Sequence, residues 1–200
     1  MARILIVGGG CRGRRFSERI VERGYAVRAT TRTEAGRAAI EATGAQCWIG
    51  TPDRLATLRG ALEHVTVACW MLACARGSEN ELDALHRSRL EFFLSQAIDT
   101  TARGLVYDAW AVPARAGDSD EPAERRPSPE LLAGGAGIFR SLTELNAIPA
   151  VVLARPEGAS VADVGSGGDG GNGGDGHDQE DAAWIAAACD AVAGLLGGAR

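Results

Sequence analysis

Lysine is missing altogether: the 21 basic residues are all arginine, set against 26 acidic ones for a formal net charge of -5. Without a lysine amine the chain forms no Schiff base, and no tyrosine is activated by a neighbouring ammonium. Tyrosine is nearly as scarce, with only Tyr25 and Tyr107. The three histidines, His64, His86 and His177, are scattered, so no metal-ligand spacing exists and no metal site is expected. The cysteines, Cys11, Cys47, Cys69, Cys74 and Cys189, are odd in number and form no C-x-x-C. They read as small core residues in a reducing compartment. No apolar run approaches the eighteen residues of a membrane span. The first residues form a strand pattern rather than a signal peptide, so a cytoplasmic location is expected. The pI of about 5.3 offers no basic footprint for nucleic acid.

What is present begins at once. Residues 3–7, Arg-Ile-Leu-Ile-Val, are an apolar run that ends in Gly8-Gly9-Gly10-Cys11-Arg12-Gly13, with an amphipathic segment after it. This predicts strand, tight turn and helix. Gly8, Gly10 and Gly13 have the spacing G-x-G-x-x-G. The first glycine allows the sharp turn, the second lets backbone approach a pyrophosphate, and the third lets helix pack on strand. The pyrophosphate would lie on the unpaired N–H groups at the helix N-terminus. With 27 glycines in 200 residues the spacing alone is weak, and its place between a strand and a helix gives it weight.

The pattern then repeats. Helix is expected at about 12–23, strand at 25–30, and helix at 33–42 with Thr31 and Glu34 at capping-box spacing. A strand at 46–49 precedes a helix opened by Thr51-Pro52-Asp53, with Pro52 in its first position. Strand 65–72, one long helix at about 78–98, strand 104–110, helix 130–145 and strand 148–154 complete the series. Such β-α alternation predicts a Rossmann-type, doubly wound α/β fold, a parallel sheet of order 3-2-1-4-5-6 with flanking helices. The domain is placed at residues 1–160, with a polar surface loop at 113–129. A Gly/Asp-rich linker follows at 161–179, then a C-terminal helix at 180–197 that docks on the sheet or on a second subunit of a homodimer. Residues 173–178 match the start of a calcium-binding nonapeptide repeat. The inward apolar residue and the array are missing, so a linker is the reading taken.

On these residues, 3–156 resemble the atypical short-chain dehydrogenase/reductases, NAD(P)-binding Rossmann proteins grouped with the epimerase/dehydratase and NmrA-like families. The likeness rests on the Gly8/Gly10/Gly13 fingerprint, the acid-poor end of the second strand, the run ending Ile148-Pro149-Ala150-Val151-Val152-Leu153, and Arg155-Pro156 after it. The stretch from Pro129 to the Trp184 helix looks most like small bacterial members of the group. The departures are specific. Val7 stands where the extended members carry the first glycine of G-x-x-G-x-x-G. The Tyr-x-x-x-Lys dyad that the resemblance implies near Ile138–Leu142 is missing. The fifth strand ends Tyr107-Asp108-Ala109-Trp110, where the family places a serine or threonine.

For the cofactor, Gly8, Gly10, Cys11, Arg12 and Gly13 are expected to form the cradle. Arg32 stands at the end of the second strand, where an NAD site carries an acid and a 2′-phosphate is met by arginine. NADP(H) is therefore expected in preference to NAD(H), with Arg12 and Arg32 as phosphate contacts. Glu34 is assigned to its cap rather than to the ribose. The one catalytic candidate is Asp108, a general base if burial raises its pKa. Its plainer reading is a strand-end carboxylate bonded to a loop N–H. Tyr107 is assigned to core packing, Trp70 and Met71 to core or to a nicotinamide wall, and Ser141 to a marginal substrate contact. The function expected is that of an oxidoreductase or epimerase-like enzyme acting on a small molecule without the dyad, since hydride transfer needs mainly positioned cofactor and substrate; the alternatives are a dinucleotide sensor without turnover and a scaffold for a protein partner. The enzyme needs polar groups converging at the ends of the fourth and fifth strands. The sensor needs only a formed cradle, and the scaffold a blocked one, for example by Arg12 or Arg14 folding across it.

Overall fold

The apolar run at the start of the chain becomes β1 (Arg3–Val7), whose Ile4, Leu5, Ile6 and Val7 are fully buried. A strand apolar on both faces belongs at the centre of a covered parallel sheet, and β1 lies there. In this computed structural model, which describes residues 2–112, 125–155 and 175–197 and only the backbone of 175–178, six parallel strands stand in the order β3-β2-β1-β4-β5-β6. The others are β2 (Ala26–Thr31), β3 (Gln46–Ile49), β4 (Val67–Trp70), β5 (Gly104–Asp108) and β6 (Ala150–Leu153). The order is the one the alternation predicts.

Helices cover both faces. One face carries Ile4, Ile6, Val27, Cys69 and Val106 against α1 (Cys11–Glu22), the short α2 (Arg37–Glu41) and α7 (Asp175–Gly197). The other carries Leu5, Val7, Ala68, Trp70, Leu105 and Tyr107 against α3 (Ala56–Arg59), α4 (Glu79–His86), α5 (Ser88–Ile98) and α6 (Pro129–Leu145). The tail helix thus docks on the sheet of its own chain. Trp184, Ala188, Cys189 and Val192, spaced for one helical face, are all buried there.

Several elements differ from expectation. The second helix shrinks to a 3-10 turn (Glu34–Gly36) and α2, and Glu34 pairs with Arg37 instead of completing a capping box. Pro52 does not open a helix. Thr51 Oγ1 accepts the Asp53 N–H at 3.2 Å in a local turn, and α3 begins at Ala56. The long helix is two, because Arg87 leaves the helical region at φ -122° and ψ -94°. The capping box that does form is Ser78 with Glu81, at the start of α4. Leu145, the last residue of α6, is 81 % exposed. Helix α7 begins at Asp175, inside the stretch read as linker, so Asp175–Asp178 of the calcium-repeat match are helical backbone. The rest of that match, most of the 113–129 loop and Pro156 lie outside the described residues.

One buried charge sits mid-sheet. Arg28 of β2 is 6 % exposed, lies over the Trp48 ring at 5.1 Å and donates through Nη1 to the carbonyls of Gly60, Ala61 and Glu63. It therefore satisfies carbonyls of the 3-10 turn Gly60–Leu62 that follows α3 and of Glu63 after it, which makes an arginine tolerable inside a strand.

Candidate functional site

The glycine turn has the geometry its spacing predicts. Gly8 has φ +119°, and a Cβ there would stand 2.3 Å from the Met71 carbonyl oxygen. A Cβ on Gly13 would meet the Gly8 carbonyl oxygen at 1.9 Å, so α1 can lie this close to β1 only with glycine. A Cβ on Gly10 would meet nothing within 4 Å, and space opens above it. The turn is pinned to β2, where Thr30 receives the Gly9 N–H on its carbonyl (2.9 Å) and the Gly8 N–H on Oγ1 (3.2 Å). Gly10 is the N-cap of α1 and supplies no side chain, so the first-turn N–H groups of the helix keep no capping partner.

A cleft of about 670 Å³ opens from this turn across the C-terminal ends of β1 to β4. Residues 8–10, 30–33, 50–53, 71–72 and 74–76 line it, with Glu81, Leu82, Leu85 and Arg89 as the far wall. It lies at the crossover of the sheet between β1 and β4, where open α/β sheets bind ligands. Arg32 is exposed on its rim and makes no hydrogen bond or ion pair among the described residues. Arg89 is engaged with Asp53 at 2.5 Å. Glu81 is held below the usual carboxylate range, first by the Ser78 hydroxyl and N–H and then by the charges of Arg89 and Arg32. Sequence reasoning missed Asp53, Arg76, Glu81 and Arg89 as cleft residues, and only the Ser78–Glu81 capping box gave any local signal.

The other expected residues divide. Cys11 is exposed at the head of α1, where its sulfur accepts from Arg14 Nη2 at 3.5 Å. Arg12 does not reach toward the cleft. Its side chain reaches α7, donates through Nε to Asp181 at 2.8 Å, and lies 5.0 Å from the Trp184 ring centre. It is 7 % exposed, and Asp181 and Glu180 take the charge expected for a phosphate. Arg14 does not line the cleft either. Asp108 is sealed at 1 % exposure beneath two tryptophans. One oxygen accepts the Trp110 N–H and the Trp184 indole N–H, both at 3.1 Å, while the other has no hydrogen-bond partner among the described residues. Burial pushes its pKa up to about 6, against the pull of the two donors and of Arg12. The shift is that of a general base, but the carboxyl does not border the cleft.

Tyr107 is buried on the opposite face, as alternation requires. Its hydroxyl is hydrogen-bonded to Nδ1 of His86 at 2.8 Å, and its ring stacks on Phe139. Burial holds His86 at a pKa of about 4, so the imidazole is neutral. Trp70 packs on Phe93 with ring centres 4.8 Å apart and faces α5, while Met71 does line the cleft. Ser141 is exposed on α6 away from it. Cys74 borders the cleft, and burial raises its thiol pKa.

No protein-family model and no curated protein matches the sequence. Solved structures match the fold. UDP-glucuronic acid 4-epimerase from Bacillus cereus, in complex with UDP-glucuronic acid and NAD, is 14 % identical with a TM-score of 0.56, over 76 % of this chain and 55 % of that one. A short-chain dehydrogenase/reductase superfamily protein from Agrobacterium tumefaciens with bound NAD is 19 % identical, TM-score 0.57, over 76 % and 48 %. This is the fold of the short-chain dehydrogenase/reductase and epimerase structures. Triphenylmethane reductase from Citrobacter sp., complexed with NADP(H), shares it at 16 % identity and a TM-score of 0.54, over 78 % and 49 %. The chain spans about half the length of these proteins. No helix among the described residues is long and apolar enough to cross a membrane.

Proposed function

We propose that the chain binds a nicotinamide adenine dinucleotide in the cleft between the glycine turn and α4, with NADP(H) preferred over NAD(H). The observation that carries this is the open cradle. Gly8 and Gly13 bring α1 against β1, and Gly10 leaves its first turn free at the head of the cleft. Those N–H groups and the helix dipole suit a pyrophosphate. The guanidinium of Arg32, which has no hydrogen-bond or ion-pair partner among the described residues, suits a 2′-phosphate. The dinucleotides named in the similar structures support the class of ligand. Such a cofactor carries a hydride donor or acceptor on its nicotinamide ring, and the residues of the cleft would hold its adenosine and phosphate end.

Among the readings that share this cradle, binding without turnover is favoured. Asp108, the only acid at the end of β5, is buried under Trp110 and Trp184 and cannot meet a substrate in this conformation. The scaffold reading needs a blocked cradle, whereas Arg12 is bonded to Asp181 of α7 and neither it nor Arg14 lines the cleft. Calorimetric titration of the purified chain with NADPH, NADP⁺, NADH and NAD⁺ tests the proposal. The phosphorylated pair should bind at least tenfold more tightly, and Arg32→Ala should abolish that margin without weakening NADH. Equal or tighter binding of NADH would remove the preference.

A further inference from the structure

We infer that only the adenosine diphosphate half of the ligand enters the crevice, because helix α7 occupies the end where the nicotinamide half would lie. The inference rests on the dinucleotide reading and narrows it. A dinucleotide bridges the crossover of such a sheet, with one nucleotide over each half. Here the walls of the cleft come from the ends of β1, β2, β3 and β4 and from α4 and α5, and no described residue of β5 or β6 contributes.

The ends of β5 and β6 are taken by α7. Glu180 accepts from the Trp110 indole at 3.3 Å and pairs with Arg155, two residues beyond β6. Asp181 holds Arg12 and Arg15 of α1. Trp184 donates to Asp108 at the last position of β5. At the other end of the same strand, Gly104 faces Leu195, so α7 runs antiparallel to β5. Nine residues of α7 precede Trp184, and at 1.5 Å each they carry the helix about 14 Å past the strand end. Trp110, which follows the end of β5, is 4 % exposed. The arginines that border this half, Arg12 and Arg155, already have carboxylates. The nicotinamide riboside would have to displace the N-terminal end of α7, which these ion pairs fasten to α1 and to the end of β6. The adenosine half meets no such competition, because Arg32 makes no hydrogen bond or ion pair among the described residues.

The expected consequence is that removing the nicotinamide costs nothing. The test is titration of the full chain with NADP⁺, NADPH, 2′-phospho-ADP-ribose, NAD⁺ and ADP-ribose. Each dinucleotide should bind within threefold of its nicotinamide-free counterpart, and NADP⁺ and NADPH should be equal. In Glu180→Gln/Asp181→Asn, with Trp184 still buried by its fluorescence, the dinucleotides should gain at least tenfold over those counterparts. A tenfold advantage for the dinucleotides in the unmodified chain would overturn the inference and leave the cradle reading standing. An unchanged ratio in the double variant would overturn it as well. Binding of none of the five would remove both.

Discussion

A carboxylate with one oxygen bonded and the other orphaned is an expensive residue to keep, and Asp108 is that residue. Its pKa of about 6, raised from 3.8, means the folded chain binds a proton there more tightly than the unfolded chain. The ionised form therefore destabilises the fold above pH 6, and the penalty fades as pH falls toward 3.8. Asp108→Asn keeps an acceptor for both tryptophans and removes the charge. It should be more stable than the parent by about 2–3 kcal/mol at pH 8, with the margin gone near pH 4, in urea denaturation across that range. A constant margin would mean that the charge is not the cause. His86 works the other way. Its pKa is lowered from 6.5 to about 4, so the stability it contributes is complete above pH 6.5 and is lost as pH falls to about 4. Asp108→Asn, left with His86 alone of the two, should lose stability more steeply than the parent between pH 6 and 4.

At the scale of elements, small residues decide which surfaces can meet. Gly135 of α6 lies where a Cβ would stand 2.2 Å from the Tyr107 hydroxyl and 2.8 Å from the His86 carbonyl oxygen. Gly135→Ala should push α6 off β5 and cost about 1–3 kcal/mol in chemical denaturation, the range for overpacking. An unchanged midpoint would show that the contact yields freely. In sequence this glycine reads only as a weak point in a helix. Its partners, some thirty and fifty residues earlier in the chain, become neighbours only in the folded sheet. The glycine turn was legible because its three positions act on local backbone, and the strand order because each strand is a compact apolar run. Arg12 was misread for the opposite reason. Its position in the turn suggests a phosphate, whereas the acids that claim it stand 169 residues away. The break at Arg87 was hidden too, since the apolar period continues across it.

At the scale of the whole molecule, α7 belongs to the core. Trp184 is fully buried, packs its ring edge-on to Phe16 at 5.9 Å and shares one apolar cluster with β1, β2, β4 and β5. Trp184→Ala should therefore lower the free energy of global unfolding by about 3–5 kcal/mol, the usual cost of emptying such a site. Intrinsic fluorescence and far-ultraviolet dichroism should still report one transition at a lower midpoint. A separate early loss of helix with the remaining transition unmoved would make α7 an appendage. That same closure has a bearing on how the protein is made. The strand at the centre of the sheet is translated among the first residues described, and the helix that covers part of its face is translated among the last. At the ribosome's pace of about 5–20 residues per second, that interval is on the order of ten seconds or longer. Through it the apolar face of the growing sheet is a target for chaperones, and a premature stop before Trp184 would release a nascent chain with that face still bare.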